Sequence, residues 1–580
     1  MVTRSRQPRS STNAPTLPLG HPLQGDLVSA TTASAGHVIV RSLALHGVPR
    51  VFCVPGESYL DVLDGLHDSA IQTVICRHEG GAAYMAEAEG KMSEVPGVAM
   101  VTRGPGAANA FVAIHTAWQD ATAMVLFVGL VPLADRDRES FQEFDINAWF
   151  GTTAKRVLVL DEADRASEVV AEAFFAARSG RPGPVVVGLP EDVITHEVSG
   201  AVHPVLVAAA GGVSRADASV LTAALARAER PLLITGGNDW TQESATTLTR
   251  WLEGRDLPAA TDWRANGVVS SDSPCYVGAL GYGRADELAA MLDEADLVVT
   301  VGTVLGDVLT DGYTLRQDLD ASNILVNIDT SLRGRSGAVT HQVVANPAAF
   351  VAGLDELDVP ARPHWRAWRE RGRLAQERYA ALPDAASGDG GGDGDGGSPA
   401  AMDTVMAHLV PALPSDAVVT FGAGNHALWA QRYFPTRAYG SLLSTRNGSM
   451  GYSVPSAVAA SLHHRDRVVV SIAGDGEFMM NANELATATQ YGATPLIVVM
   501  DNGQFGTIRA HQEAHYPGRV SGTRLENPDF AAIALGCGAH GERVTRDRDV
   551  PAALERALGA IAAGRPAVLH LVVDPVVLQP

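Results

Sequence analysis

Short runs of branched apolar residues recur along the chain. Each is closed by glycine, Asp or Asn and followed by a stretch with helical spacing. RPLLITGG at 230–237, ADLVVTVGT at 295–303 and NILVNIDT at 323–330 are examples. Runs of this kind, without polar alternation, predict strands buried on both faces. Their alternation with helical patterns predicts α/β domains, each with a doubly wound parallel sheet. Two longer stretches, residues 98–129 and 468–502, repeat the order strand, glycine turn, helix, strand. Any βαβ unit gives that order. The pair also fits a front and a back domain built as two versions of one fold.

The pattern breaks at SGDGGGDGDGGS, residues 387–398, which carries no apolar side chain and reads as a flexible linker. A softer break falls at AVHPVLVAAAGGVSR, residues 201–215. With 580 residues the chain exceeds one core and predicts about three or four domains. Composition adds mainly exclusions. The net charge of −21 argues against a nucleic-acid partner. No apolar run approaches the length of a membrane span. Cys53, Cys76, Cys275 and Cys537 lie far apart, without a CxxC pair, and read as reduced thiols of a cytoplasmic protein. The first twenty residues are basic and rich in Ser, Thr and Pro, without the apolar core of a secretory signal. They read as a disordered tail; a transit peptide is the compositional alternative.

The strongest chemical signal is SIAGDGEF, residues 471–478, which places Asp475 between two glycines where a strand turns into a helix. The next strand, PLIVVM, ends at Asp501 and Asn502, so Asn502 stands 27 positions after Asp475. Adjacent parallel strands would bring both side chains to the carboxyl edge of one sheet, where α/β folds bind ligands. The helix after GDG would aim free N–H groups there, favouring an anion such as phosphate. One carboxylate and one amide are hard oxygen donors. They leave coordination positions for phosphate oxygens, which suits Mg²⁺. The bland alternative is an Asp that merely makes a turn.

GDG followed one strand later by Asn resembles the signature of the thiamine-diphosphate (ThDP) enzymes. The resemblance implies metal ligation by the side chains of Asp475 and Asn502 and the main-chain oxygen of Gln504. It also implies a distant glutamate that hydrogen-bonds the aminopyrimidine ring. Glu79, in ICRHEGGAAY at the end of the run IQTVIC, is that candidate. Gly80 and Gly81 would let a planar ring approach the backbone. Otherwise Glu79 is a helix-start acid favoured by the dipole. R-H-E-x-G-A-A is similar to the glutamate motif of acetolactate synthase-type members. Further likenesses are VPGES at 54–58, RGPGAANA at 103–110, FGAGNHALWA at 421–430 and GSMGYSVPSA at 448–457. They imply diphosphate contacts from Gly424, Asn425 and His426, with Asn425 where the family has Gln. They also imply a ring contact from the Gly448 carbonyl, and Met450 as the wedge that bends the cofactor. Ser449, Gly474, Gly476, Glu477, Phe505 and Gly506 complete the cofactor contacts implied. Met450 could otherwise be an ordinary core residue.

Departures narrow the type. FQEFD at 141–145 resembles an acetolactate synthase segment that would face Gln142 to the substrate. Glu57 is an acid where acetolactate synthases have Gly. It is either a proton relay or a loop acid facing water. His511 stands where those enzymes have a Trp that selects the acceptor. VGTVLGDVLT lacks the arginines that contact FAD in them, so FAD is not expected, and the glycines of YVGALGYG make a weak dinucleotide fingerprint.

The resemblance implies a domain plan: a tail at 1–34, a pyrimidine-binding domain at 35–200, a central Rossmann-like domain at 212–360, a linker at 361–399 and a diphosphate-binding domain at 400–578. The expected function is a ThDP- and Mg²⁺-dependent lyase or carboligase. It would decarboxylate a pyruvate-like 2-oxo acid and transfer the acyl carbanion to a carbonyl acceptor. Glu79, Glu57 and Gln142 are the catalytic candidates; Gln142 and His511 would face the substrate. A homodimer or homotetramer is expected, with Glu79 facing a cofactor held on another subunit. A non-ligating decarboxylase, a flavin-dependent oxidase and a silent ThDP-binding subunit are the alternatives.

Overall fold

The computed structural model describes residues 32–265, 267–318, 321–332, 339–359, 362–384 and 398–580. It contains three six-stranded sheets, each parallel throughout and packed by helices. The front sheet runs from Arg50–Cys53 to Pro184–Pro190, the central one from Pro231–Thr235 to Val339–Val343, the back one from Val418–Phe421 to Ala567–Val572. Numbered within each sheet by chain order, front and back strands lie in the same order, 2-1-3-4-6-5. The central sheet has the order 3-2-1-4-5-6 of a dinucleotide-type fold. Strands such as Met124–Leu130 are apolar and buried along their whole length, because helices cover both faces. No helix among the described residues is long and apolar enough to cross a membrane.

Front and back sheets share one core. The helix Glu79–Met92, EGGAAYMAEAEGKM, packs against Ser453–His463, SVPSAVAASLH, and both are buried over most of their length. Alanines on both helices let the backbones approach closely. Ala82, Ala83 and Ala86 join Ala457, Val458 and Ala460 in a single apolar cluster. Charges are sealed into the same contact. Lys91 Nζ lies 2.8 Å from Glu87 and 2.5 Å from Asp120, and donates to the Ser444 carbonyl at 2.7 Å. Tyr452 donates to Glu87 at 2.8 Å. Burial works against the charge of Lys91, but Asp120 and Glu87 outweigh it and raise its pKa.

Two boundaries differ from expectation. Thr32–Ser34, assigned to the tail, form a strand antiparallel to Glu197–Ser199. That short edge pairing carries little sequence signal. Part of the expected linker is the helix Pro363–Tyr379. It packs on the central domain through Trp365 and Trp368, whose indole N–H groups each donate at 2.9 Å, to the carbonyls of Ala228 and Pro231. Its many Arg and Glu residues mask an apolar stripe, Trp365, Trp368, Gly372 and Ala375, at helical spacing. The Gly/Asp-rich run lies outside the described residues except for Ser398.

Replacing Lys91 by Met leaves Glu87 and Asp120 buried against each other. We expect a loss of about 3–5 kcal/mol, measured as a lower urea midpoint with the central domain present.

Candidate active site

In the back sheet the strands Val469–Gly474 and Leu496–Asp501 are neighbours, with Gly474 opposite Met500. They therefore end at one edge, and the residues that follow, Asp475 and Asn502, share it. Strand Val418–Phe421 lies on the other side of Val469–Gly474 and delivers Gly424, Asn425 and His426 to the same place. A cavity of about 250 Å³ opens there. It is walled by the starts of the helices His426–Tyr433 and Gly506–His515, by the short turn of helix from Asp475, and by Gly448 and Met450. Helix starts carry unpaired N–H groups and partial positive charge, so the cavity is suited to an anionic ligand.

Glycines make the walls close enough to touch. A Cβ on Gly476 would lie 2.5 Å from the Phe505 ring, and one on Gly474 2.7 Å from His426 Nδ1. Gly448 has φ +68°, and a side chain there would meet nothing. His426 Nε2 and Glu477 Oε2 lie 2.8 Å apart, both buried, but out of line for a hydrogen bond. Glu477 Oε1 accepts from the Ser453 N–H at 3.1 Å, and Asn425 Oδ1 from the Thr507 hydroxyl at 2.5 Å.

The carboxylate of Asp475 is tightly specified. Oδ1 accepts from the Gly476 N–H at 2.8 Å; Oδ2 accepts from Gly503 N–H at 2.9 Å and Asn527 Nδ2 at 2.8 Å. Burial is the main cause of its raised pKa, and the nearby Asp501 carboxylate adds to it. Burial also opposes ionisation of Asp501, but donors on His570 and Asn527 outweigh it and lower that pKa. A divalent cation would relieve this crowding of acids. Asn502 Oδ1 accepts from the Gln504 N–H at 3.2 Å. Among the described residues no group of three or more His, Cys, Asp or Glu side chains could hold a metal alone. One carboxylate with an amide oxygen and a carbonyl suits a hard cation whose remaining positions are filled by a ligand's oxygens. The donors present therefore fit Mg²⁺ beside a diphosphate.

Comparison with known proteins bears on the organic cofactor. Residues 33–149 match the N-terminal TPP binding domain of thiamine pyrophosphate enzymes, 201–354 the central domain and 422–571 the C-terminal TPP binding domain. The acetolactate synthase isozyme 2 large subunit of Escherichia coli (strain K12) is 31% identical over 92% of this chain and 95% of its own. The acetolactate synthase large subunit of Parasynechococcus marenigrum (strain WH8102) is 31% identical over 91% and 87%. That of Corynebacterium glutamicum (strain ATCC 13032) is 29% identical over 96% and 88%. The chain belongs to the thiamine pyrophosphate enzymes, in the acetolactate synthase-like group.

In this ThDP enzyme the front-domain candidates lie apart from the cavity, whose wall comes wholly from the back domain. Glu79 starts the helix Glu79–Met92, and its Oε2 accepts from Asn109 Nδ2 at 2.9 Å. Glu57 is 58% exposed and sits 3.6 Å from the buried Arg103, which pairs more closely with Glu191 at 2.5 Å. Gln142 borders a separate cleft of about 740 Å³. Its φ of +62° is left-handed, and its Oε1 is buried with no hydrogen-bond partner. Strain together with an orphaned acceptor is a mark of functional sites. His511 is exposed on the helix Gly506–His515, outside the cavity wall. Ser449 does not line the cavity; its Oγ lies 2.5 Å from Tyr84 OH, tying the Met450 loop to the front domain. Asn527, which bonds Asp475, and His570, which backs Asp501, had no part in the sequence analysis, where Asp501 stood only as a strand end. NPDF, residues 527–530, offered only an Asp-capped helix start as a signal.

A methyl group on Gly476 must displace the Phe505 ring. Gly476→Ala should weaken ThDP binding by about tenfold or more, from about 1–3 kcal/mol of overpacking, as read by calorimetric titration.

Proposed function

We propose that this enzyme decarboxylates a pyruvate-like 2-oxo acid and transfers the resulting acyl carbanion to a carbonyl acceptor, with Mg²⁺ joining the cofactor's diphosphate to the protein. One observation carries the reading: Asp475 and Asn502 stand side by side at the edge of a cavity walled by the starts of three helices. Bound ThDP would supply a nucleophilic carbon and an electron sink, which 2-oxo acid decarboxylation needs. The residues of this chain do the rest. Asp475, Asn502 and the Gln504 carbonyl hold the metal. The N–H groups around Gly424–His426 bind diphosphate oxygens, and Met450 sets the bend of the cofactor.

Glu79 holds and shares a proton with the cofactor's aminopyrimidine, and Asn109 orients it. Because Glu79 is absent from the cavity wall, it is supplied by a second copy of the chain; a homodimer is the smallest active unit and a tetramer is two of these. Side chains available to bury between copies include Leu60, Phe141, Met479, Met480 and Ile508, all exposed here. Gln142 faces the substrate, with Glu57 as a proton relay at its side and His511 bearing on the acceptor. The four free thiols accord with a cytoplasmic location.

Incubation with pyruvate, ThDP and Mg²⁺, with and without an aldehyde or second 2-oxo acid, tests the proposal. CO₂ together with a coupled hydroxyketone supports it. Aldehyde alone would reassign the enzyme as a simple decarboxylase. ThDP binding with no CO₂ from any 2-oxo acid would overturn it. Glu79→Gln should lower kcat by about 10²–10⁴-fold while ThDP affinity stays close to wild type. Light scattering should give a dimer or larger, and an active monomer would remove the second-copy assignment.

A further inference from the structure

Asp475 and Asp501 are held together by two nitrogens. Asn527 Nδ2 spends one hydrogen on Asp475 Oδ2 and the other on Asp501 Oδ1, each at 2.8 Å. The Gly503 N–H is shared between the same two oxygens, at 2.9 and 3.1 Å. Behind Asp501 stands His570, only 1% exposed, with Nε2 2.8 Å from Asp501 Oδ2. The Phe530 N–H donates to His570 Nδ1 at 3.2 Å, which leaves Nε2 to face Asp501. Asn527 is itself firmly set. Pro528 follows it, then Asp529, which caps the helix Phe530–Gly536 through the N–H groups of Ala531 and Ala532. Phe530 is fully buried against Phe478 and His570.

We propose that Asn527 is a positioning residue for the metal site. This rests on the reading that Asp475, Asn502 and Gln504 hold Mg²⁺. Asp475 Oδ2 carries two N–H donors and is spent, whereas Oδ1 carries only that of Gly476. Asn527 thereby selects one oxygen of Asp475 for the cation. It also fastens a second carboxylate, Asp501, beside the cation as a charge that is not a ligand. The partners of metal ligands commonly change metal affinity by about 10–100-fold when removed.

A purely structural role for Asn527 is separable, because its loop has other ties. Phe505 N–H donates to the Thr523 carbonyl at 2.8 Å and Leu525 N–H to the Gly503 carbonyl at 2.7 Å, whatever residue 527 is.

The test is Asn527→Ala in the full-length enzyme. Mg²⁺ is titrated at saturating ThDP with tryptophan fluorescence as the signal, beside melting of the protein without cofactors. We expect a Mg²⁺ requirement about 10–100-fold higher, with ThDP loading restored by excess Mg²⁺. An unchanged Mg²⁺ affinity, whatever the melting temperature, overturns the proposal. If the alanine variant does not fold, Asn527→Ser is titrated in its place, with the same two outcomes. Failure of the underlying reading looks different: wild-type enzyme would then bind ThDP with no Mg²⁺ requirement at all.

Discussion

The contact between two helices of small residues, Glu79–Met92 and Ser453–His463, is what the rest of the molecule depends on. It fuses the front and back sheets into one apolar cluster. It also fixes Tyr84 where its hydroxyl meets Ser449 and the Met450 carbonyl. The loop that would bend the cofactor is thus shaped by the packing of alanines on alanines. Larger side chains on either helix would part the sheets and let that loop drift.

Charge closes the junction that packing opens. Arg446 pairs with Asp262 of the central domain at 2.7 Å, and its N–H donates to Asp120 of the front domain at 2.9 Å. Arg264, buried and stacked on Trp263, donates to the Thr445 carbonyl at 2.7 Å. Three domains therefore meet on residues 444–446, a few positions before Gly448 and Met450. Buried charges of this kind stabilise less than their number suggests, and they are costly to separate. Their effect is to permit one arrangement of the domains.

Much of this was legible in the sequence because parallel sheets write themselves plainly. A strand covered on both faces must be apolar throughout, so its end, and the Asp or Asn placed there, can be read directly. Asp475 and Asn502 were found that way. Asn527 and His570 were not, since a lone polar residue far along the chain gains meaning only when folding carries it to Asp475 or Asp501. The helix Pro363–Tyr379 was hidden by its own charges, although its two tryptophans kept the spacing of a buried face. Glu79 shows another limit. Its residue type and neighbours were readable, but the surface it would complete is absent from the cavity wall of a single chain.

The shared strand order of the front and back sheets has a further consequence. In the back sheet the cavity forms where chain order reverses, between the first and third strands. The front sheet reverses at the same point, between Arg50–Cys53 and Gly97–Val101. Glu57 and Arg103 follow those strands, so their ion pair occupies the berth that the cofactor cavity fills in the other half. One scaffold is used twice: at the same reversal one half opens a cavity, and its twin sets an acid against a base.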